Sequence, residues 1–391
     1  MFDNDEDEVH EDAIGVVTGV NEKKPFMPWH KPRKQWVREK QWWRCLNQLL
    51  IKPSNNFETD GTVKYFGLPG AELLDVDYLA MKMLESDDLN KKKLLIHGVI
   101  SSTVEKQSAD SRLASLLDRR NIDPLSKVDR CNFESLEQNN SMLWNSMKRI
   151  APYHLINLDF CDKVFQDRTI SAVHKLLEYQ FNALLDKPWL FCLTTKVDTT
   201  ASNIDVLIRL DKCLHSIEED ELAEFNLQKY FAPVFNAISK KNSIRSYTDS
   251  IGDFTNIFLV GFVIWLVLSC LALNVDFKLK SSSKYRVADI DSLPDMYSFV
   301  FEFNKKFEPQ GDRTGVAVSA EVKRQDVIEG LDPREKIIEM LTRTVDLDEL
   351  LNNDVDLLKR YVDETKALLE RCGRDVTNYE NEMCASLNVG S

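Results

Sequence analysis

The sequence predicts an α/β fold: a doubly wound, seven-stranded sheet, mostly parallel with an antiparallel last strand, plus a C-terminal helical appendage. Three observations predict it. Short apolar runs of strand length alternate with helical stretches over residues 63–195, the rhythm of parallel strands joined by right-handed crossovers. Two further strand-like runs, 277–287 and 295–303, are separated by too few residues for a crossover helix, so that pair must be antiparallel. Beyond residue 306 the chain changes to a polar, glycine-containing linker and then to charged helix.

The bulk properties bound the function. At 391 residues the chain is long enough for one large α/β domain with additions. Its 43% hydrophobic and 29% charged residues place it among ordinary globular proteins. A net charge of −13 argues against a uniformly basic nucleic-acid coat and leaves only a local basic patch open. Eight cysteines are scattered without a C-x-x-C pair, so neither a zinc site nor any other metal is expected. Cysteines within apolar runs suit a reducing, cytoplasmic setting. Residues 1–24 are acidic with no hydrophobic period and read as a disordered tail without a secretory signal.

Residues 25–62 form a basic, Trp-rich segment. Between 25 and 44 lie four tryptophans and six lysines or arginines. One reading has Lys31, Arg33, Lys34 and Arg38 clamping a phosphate backbone while the indoles stack on bases. The other has a helix docking a Trp36, Trp43 and Leu46 stripe on the main domain, its basic side solvated. Residues 63–70 read as a strand entering a turn at Gly67 and Gly70, with a helix following over 71–84. Strand, glycine turn and helix bring backbone amides close to a cofactor. Two glycines fall short of a G-x-G-x-x-G fingerprint, and an ordinary tight turn has the same pattern.

Residues 94–100 are the second strand, and a polar helix is expected over 109–118. A third strand and its exit turn, 128–136, carry Asn132 and Phe133; a helix over 141–150 follows. Residues 155–158 are the fourth strand, with Asp159 at its end, and 189–195 the fifth. Open parallel sheets bind ligands at the carboxyl ends of their strands, which makes Asp159 the leading candidate for chemistry. The competing reading is a helix N-cap. After an acidic insertion over 198–231 comes a helical region over 232–273. Within it, residues 257–275 carry no charge and have membrane-spanning length. Asp253 and Asp276 bracket them, and Phe277 and Leu279 then alternate with Lys278 and Lys280 like a strand of the same domain, so a core helix rather than a membrane span is expected. His97, His154 and His174 lack metal-ligand spacing, and neither a G-x-S-x-G nor a P-loop is present.

Five strand-helix units, then a sixth strand and an antiparallel seventh, resemble the class I S-adenosylmethionine-dependent methyltransferase fold over residues 63–306. The resemblance rests on topology more than on motifs. It implies that the Gly67 to Gly70 turn holds the cofactor's amino-acid part. It also implies that Asn132 and Phe133 lie against the adenine, and that Asp159 stands beside the methyl-transfer centre. Where that family usually ends its second strand with an acid, this sequence has Gly98 to Ser102. The chain also resembles an uncharacterised bacterial group of methyltransferase-like proteins in its Lys-Pro-Arg-Lys-Gln-aromatic, Gly-Leu-Pro-Gly, Ile-Asn-Leu-Asp and Leu-Thr-Thr segments. The implied activity is methyl transfer from S-adenosylmethionine to a large acceptor, such as a nucleic acid, guided by the basic segment. The alternative is a catalytically degenerate fold serving as a nucleic-acid or protein interaction module, through that segment and the C-terminal helices.

Overall fold

The computed structural model describes residues 25–386 apart from 60, 161–163, 165, 183–186, 198–202, 219–220, 222–224, 274, 288–292 and 306–332. The expected tail and polar linker lie outside the described residues. Five parallel strands build the centre of the sheet: β1 (Thr62–Gly67), β2 (Lys93–Ile100), β3 (Lys127–Arg130), β4 (Leu155–Asp159) and β5 (Trp189–Lys196). Then come β6 (Val275–Tyr285), β7 (Met296–Lys305) and a two-residue β8 (Val345–Asp346). The strand order is β3-β2-β1-β4-β5-β7-β6-β8. β7 is antiparallel to both neighbours, as the short connection to β6 requires. The parallel core and reversed seventh strand agree with the fold the resemblance implies.

Among the described residues the sheet has eight strands, one more than expected. Val345–Asp346, expected as part of a helix face, pairs in parallel with β6 at Ser283 and Lys284. The helix Leu347–Asn353 starts immediately afterwards, because the Asp346 side chain accepts from the amides of Asp348 and Glu349. The helix after β2 also begins earlier than expected, at Thr103, where Ser102 caps it by accepting from Glu105 N at 3.3 Å.

Each face of the sheet carries a core. One is closed by Met142–Ile150, Asp167–Asn182, Ile204–Leu214 and Ile251–Ala272. Among the described residues Ile251–Ala272 is the one helix long and apolar enough to cross a membrane, and 72% of its most apolar stretch is buried. The other core is closed by Leu74–Glu85, Thr103–Leu117, the Trp-rich N-terminal helix and the C-terminal helices. The N-terminal helix runs from Pro32 to Ile51, with its middle, Val37–Trp43, wound as a π-helix. Trp36, Trp42 and Leu46 are buried there beside Leu358, Tyr361 and Leu369 of Val355–Arg371. The C-terminal helices pack against the body of the molecule through the N-terminal helix.

Candidate active site

The order of strands reverses between β1 and β4, where adjacent strands send their crossovers to opposite faces and leave a crevice at their carboxyl ends. Gly67 closes β1 opposite Asn157 of β4. A Cβ on Gly67 would sit 2.5 Å from the Asn157 carbonyl oxygen, so only glycine lets the strands pair there. Gly70 follows at φ +65, and Leu73, buried, is held at φ +51 just before Leu74–Glu85 begins. A bulky side chain in the left-handed region is uncommon and marks a turn whose shape is imposed by its surroundings. Pro69 of this turn packs over Gly98, where a Cβ would come within 2.9 Å of its ring.

Over the carboxyl ends of β1 to β4 lies a cavity of about 660 Å³, within the roughly 300–1,000 Å³ of small-ligand sites. Gly70, Asn132, Phe133 and Asp159 all line it, so the fold brings together four of the five residues expected at the site. Gly67 lies beneath them and acts by allowing strand approach. Asn132 leads into a 3-10 turn, Phe133–Glu137, and Phe133 is buried with Phe160 edge-on at 5.5 Å. Asp159 is the last residue of β4, and the next helix among the described residues is Asp167–Asn182.

The Asp159 carboxylate is engaged by this chain's own lysine. Lys34 Nζ donates to Asp159 Oδ1, and the ammonium also lies 4.6 Å from the centre of the Trp42 ring. Burial by itself lowers the pKa of Lys34; the charges of Asp159, Tyr285 and Asp75, together with the hydrogen bond to Asp159, outweigh it and raise it above the ordinary lysine value. One helical turn on, Arg38 Nε donates to Asp75 Oδ1 at 2.8 Å and its Nη2 to the Trp29 carbonyl at 3.0 Å. Burial, opposed by Arg38 and reinforced by the Asp159 charge, pushes the Asp75 carboxyl up. Arg33 pairs with Asp348, which Arg286 also approaches at 3.2 Å.

These pairings correct the expectation of a solvated basic side. Arg33, Lys34 and Arg38 are buried and Lys31 is half-buried. The reason is electrostatic: the end of β4, the first turn of Leu74–Glu85 and the start of Leu347–Asn353 each present a carboxylate to the helix, fully buried at Asp75 and Asp348 and partly at Asp159. A buried charge is tolerated only when paired in this way. The helix thereby fills the side of the site over β4, β6 and β7. A small space of about 20 Å³ lies there among the described residues, bounded by Pro28, Trp29, Lys34, Asp159, Tyr285 and Met296.

Three cavity residues escaped sequence reasoning. Glu105, exposed at the mouth, occupies the third position of its helix. The Ser102-x-x-Glu105 spacing, a helix-start signal, would have located it. Glu72 follows the glycine turn by two residues, and Arg374 arrives from the far end of the chain with no local signal at all. His97, by contrast, is a structural tie away from the cavity. Its ring nitrogens meet the Tyr153 hydroxyl at 2.6 Å and Asp129 Oδ2 at 2.9 Å. Among the described residues no group of three or more His, Cys, Asp or Glu side chains is placed to hold a metal.

A family model described as PP_RS20740-like matches residues 23–383. The chain belongs to the PP_RS20740-like family. The match runs from before the N-terminal helix into the helix Tyr379–Ser386. No curated protein matches. Among solved structures the chain is similar to the methyltransferase domain of bacterial CtHen1-C, at 10% identity and TM-score 0.33 over 70% of this chain and 100% of that one. It is similar to the 23S rRNA methyltransferase ErmE at 11% identity and TM-score 0.30, over 68% and 70% of the two chains. It is also similar to M. jannaschii TYW2 in complex with AdoMet, at 9% identity and TM-score 0.28, over 69% and 77%.

Proposed function

We propose that this PP_RS20740-like protein binds S-adenosylmethionine in the cavity over β1 to β4 and is a methyltransferase acting on a large acceptor. The observation that carries the reading is the convergence of Gly70, Asn132, Phe133 and Asp159 on one cavity at the switch point of the sheet. Gly70 lets the turn approach the amino-acid part. Asn132 and Phe133 offer a polar edge and an apolar face to the adenine. The second strand ends without an acid, but Glu105 reaches the same wall from the next helix and is the candidate for the ribose hydroxyls.

The cofactor supplies a methyl group already activated as a sulfonium, so the protein's work is alignment. Asp159 orients an acceptor amine or hydroxyl and takes its proton late, once the Lys34 ammonium has left it. The acceptor side must therefore open by displacement of the N-terminal helix. An acceptor as large as a nucleic acid is not recognised through Arg33, Lys34 or Arg38 while they are buried.

The Lys34 to Asp159 pair favours a second reading: a catalytically degenerate module that keeps the cofactor cavity and uses the filled acceptor side for its own stability. Calorimetric titration of the full chain with S-adenosylmethionine tests the shared premise. Saturable heat is expected, and none up to millimolar ligand overturns both uses of the cavity. Label transfer from methyl-tritiated S-adenosylmethionine to total RNA or protein then separates them. Transfer by wild type or by Lys34→Ala supports the enzyme; binding with transfer by neither supports the module.

A further inference from the structure

Glu72 and Arg374 stand side by side on the wall of the cavity, at the end shaped by Gly70. Their proximity is built by two distant pieces of local structure. The helix Val355–Arg371 ends in a Schellman turn: Gly373, at φ +78, donates its amide to the Glu370 carbonyl at 2.9 Å, and Arg374 donates its amide to the Leu369 carbonyl at 3.0 Å. That turn reverses the chain and sends the Arg374 side chain back over the site. Its Nη1 donates to Glu72 Oε1 at 2.6 Å and its Nη2 to the Pro25 carbonyl at 2.5 Å. The guanidinium also lies 5.3 Å from the Phe26 ring centre.

Glu72 is held just as firmly from its other oxygen. His30 Nδ1 accepts from the Met27 amide at 3.0 Å, which leaves the proton on Nε2 to donate to Glu72 Oε2 at 2.5 Å. Trp29 Nε1 approaches the same oxygen at 3.4 Å. Both side chains keep some exposure, 14% for Arg374 and 26% for Glu72. The result is a fixed, adjacent cation and anion on a cavity wall.

We propose that Arg374 and Glu72 are the site's recognition pair for a zwitterionic α-amino-acid end, the guanidinium taking the carboxylate and the Glu72 carboxylate taking the ammonium. The inference rests on the reading of the cavity as an S-adenosylmethionine site and deepens it. Four alternating charges bring no net charge into the cavity, and the planar guanidinium matches a carboxylate better than a lysine would. The C-terminal helices, on this account, complete the binding site: a ligand is selected only when Val355–Arg371 is docked.

The test compares two ligands on the full chain by calorimetry: S-adenosylhomocysteine, which has the amino-acid tail, and 5′-methylthioadenosine, the same thioether nucleoside without it. Wild type is expected to prefer S-adenosylhomocysteine by roughly 10- to 100-fold, the range for one or two charge-assisted hydrogen bonds. Arg374→Met is expected to erase that preference while leaving methylthioadenosine affinity unchanged, which also shows that the variant is folded. Arg374→Lys, which keeps the charge beside Glu72, is expected to lie between, and it carries the test should the methionine variant fail to fold. Equal weakening of both ligands, or an unaltered preference in the variants, overturns the proposal. Wild type binding the two ligands equally well overturns it while leaving the proposed cofactor site standing. Wild type binding neither removes both.

Discussion

The two halves of the crevice at the carboxyl edge of the sheet contrast sharply. Over β1 to β3 and up to the edge of β4 the chain leaves a cavity of about 660 Å³ walled by turns and helix starts. Over β4, β6 and β7 the N-terminal helix leaves about 20 Å³ around the Lys34 to Asp159 pair. One half is left open by glycines and a turn at positive φ; the other is sealed by charge pairing. The contrast teaches that an acid at a strand end is not a free acid. Asp159 ends β4 beside the cavity, and in this structure its carboxylate neutralises a buried ammonium.

The sealed half should be the more sensitive of the two. Asp159→Ala strands Lys34 in a buried site and is expected to cost about 3–5 kcal/mol of stability, read as a lowered denaturation midpoint. Lys34→Met combined with Asp159→Asn should restore most of that loss, because both charges are then gone; a double variant as weak as the single would break the account.

In the open half the largest effect is expected on acidification. Burial would raise the Glu72 carboxyl, but hydrogen bonds from His30 and Arg374 outweigh it and hold it at about 2, below the ordinary 4.5. Between those values the native state binds fewer protons than the unfolded chain. The contribution, on the order of 3 kcal/mol, is therefore complete above pH 4.5 and lost as pH falls toward 2. Glu72→Gln should flatten the stability curve in that window, and an unchanged slope would assign it to other groups.

The two glycines sharpen the comparison further. Gly67→Ala drives a methyl group against the Asn157 carbonyl and should cost roughly 1–3 kcal/mol, with weaker cofactor binding as β1 and β4 separate. Gly70→Ala meets no neighbouring atom, so only its positive φ is penalised, at about 1 kcal/mol. Equal effects in the two variants would show that crowding at the β1 to β4 pairing is not what selects Gly67.

Much of the fold was legible because its signals are local. Apolar runs such as Leu155 to Leu158 and Trp189 to Thr195 are short, fully buried strands, and their alternation with helices leaves few topologies. The helix Thr103–Leu117 was placed six residues late because its first turn is polar and its cap is a single serine. β8 was missed because two residues carry no period; it exists only because β6 offers an edge. Of the site, the turn at Gly70, the exit at Asn132 and Phe133, and Asp159 were legible as strand ends. The fate of Arg33, Lys34 and Arg38 was not, since a basic helix looks alike whether water or buried carboxylates receive it.

By itself the sequence determined the alternation of elements, the reversed β7 and the residues at the strand ends, because hydrophobic period and connection length act within a few tens of residues. Only the tertiary structure decided what those strand ends meet. Lys34 lies 125 positions from Asp159, and Arg374 lies 302 from Glu72. Pairing of buried charges depends on distance through space, which no local pattern encodes. Asp159 thus stands at the switch point of the sheet, and its partner there is a lysine that the sequence places in a distant helix.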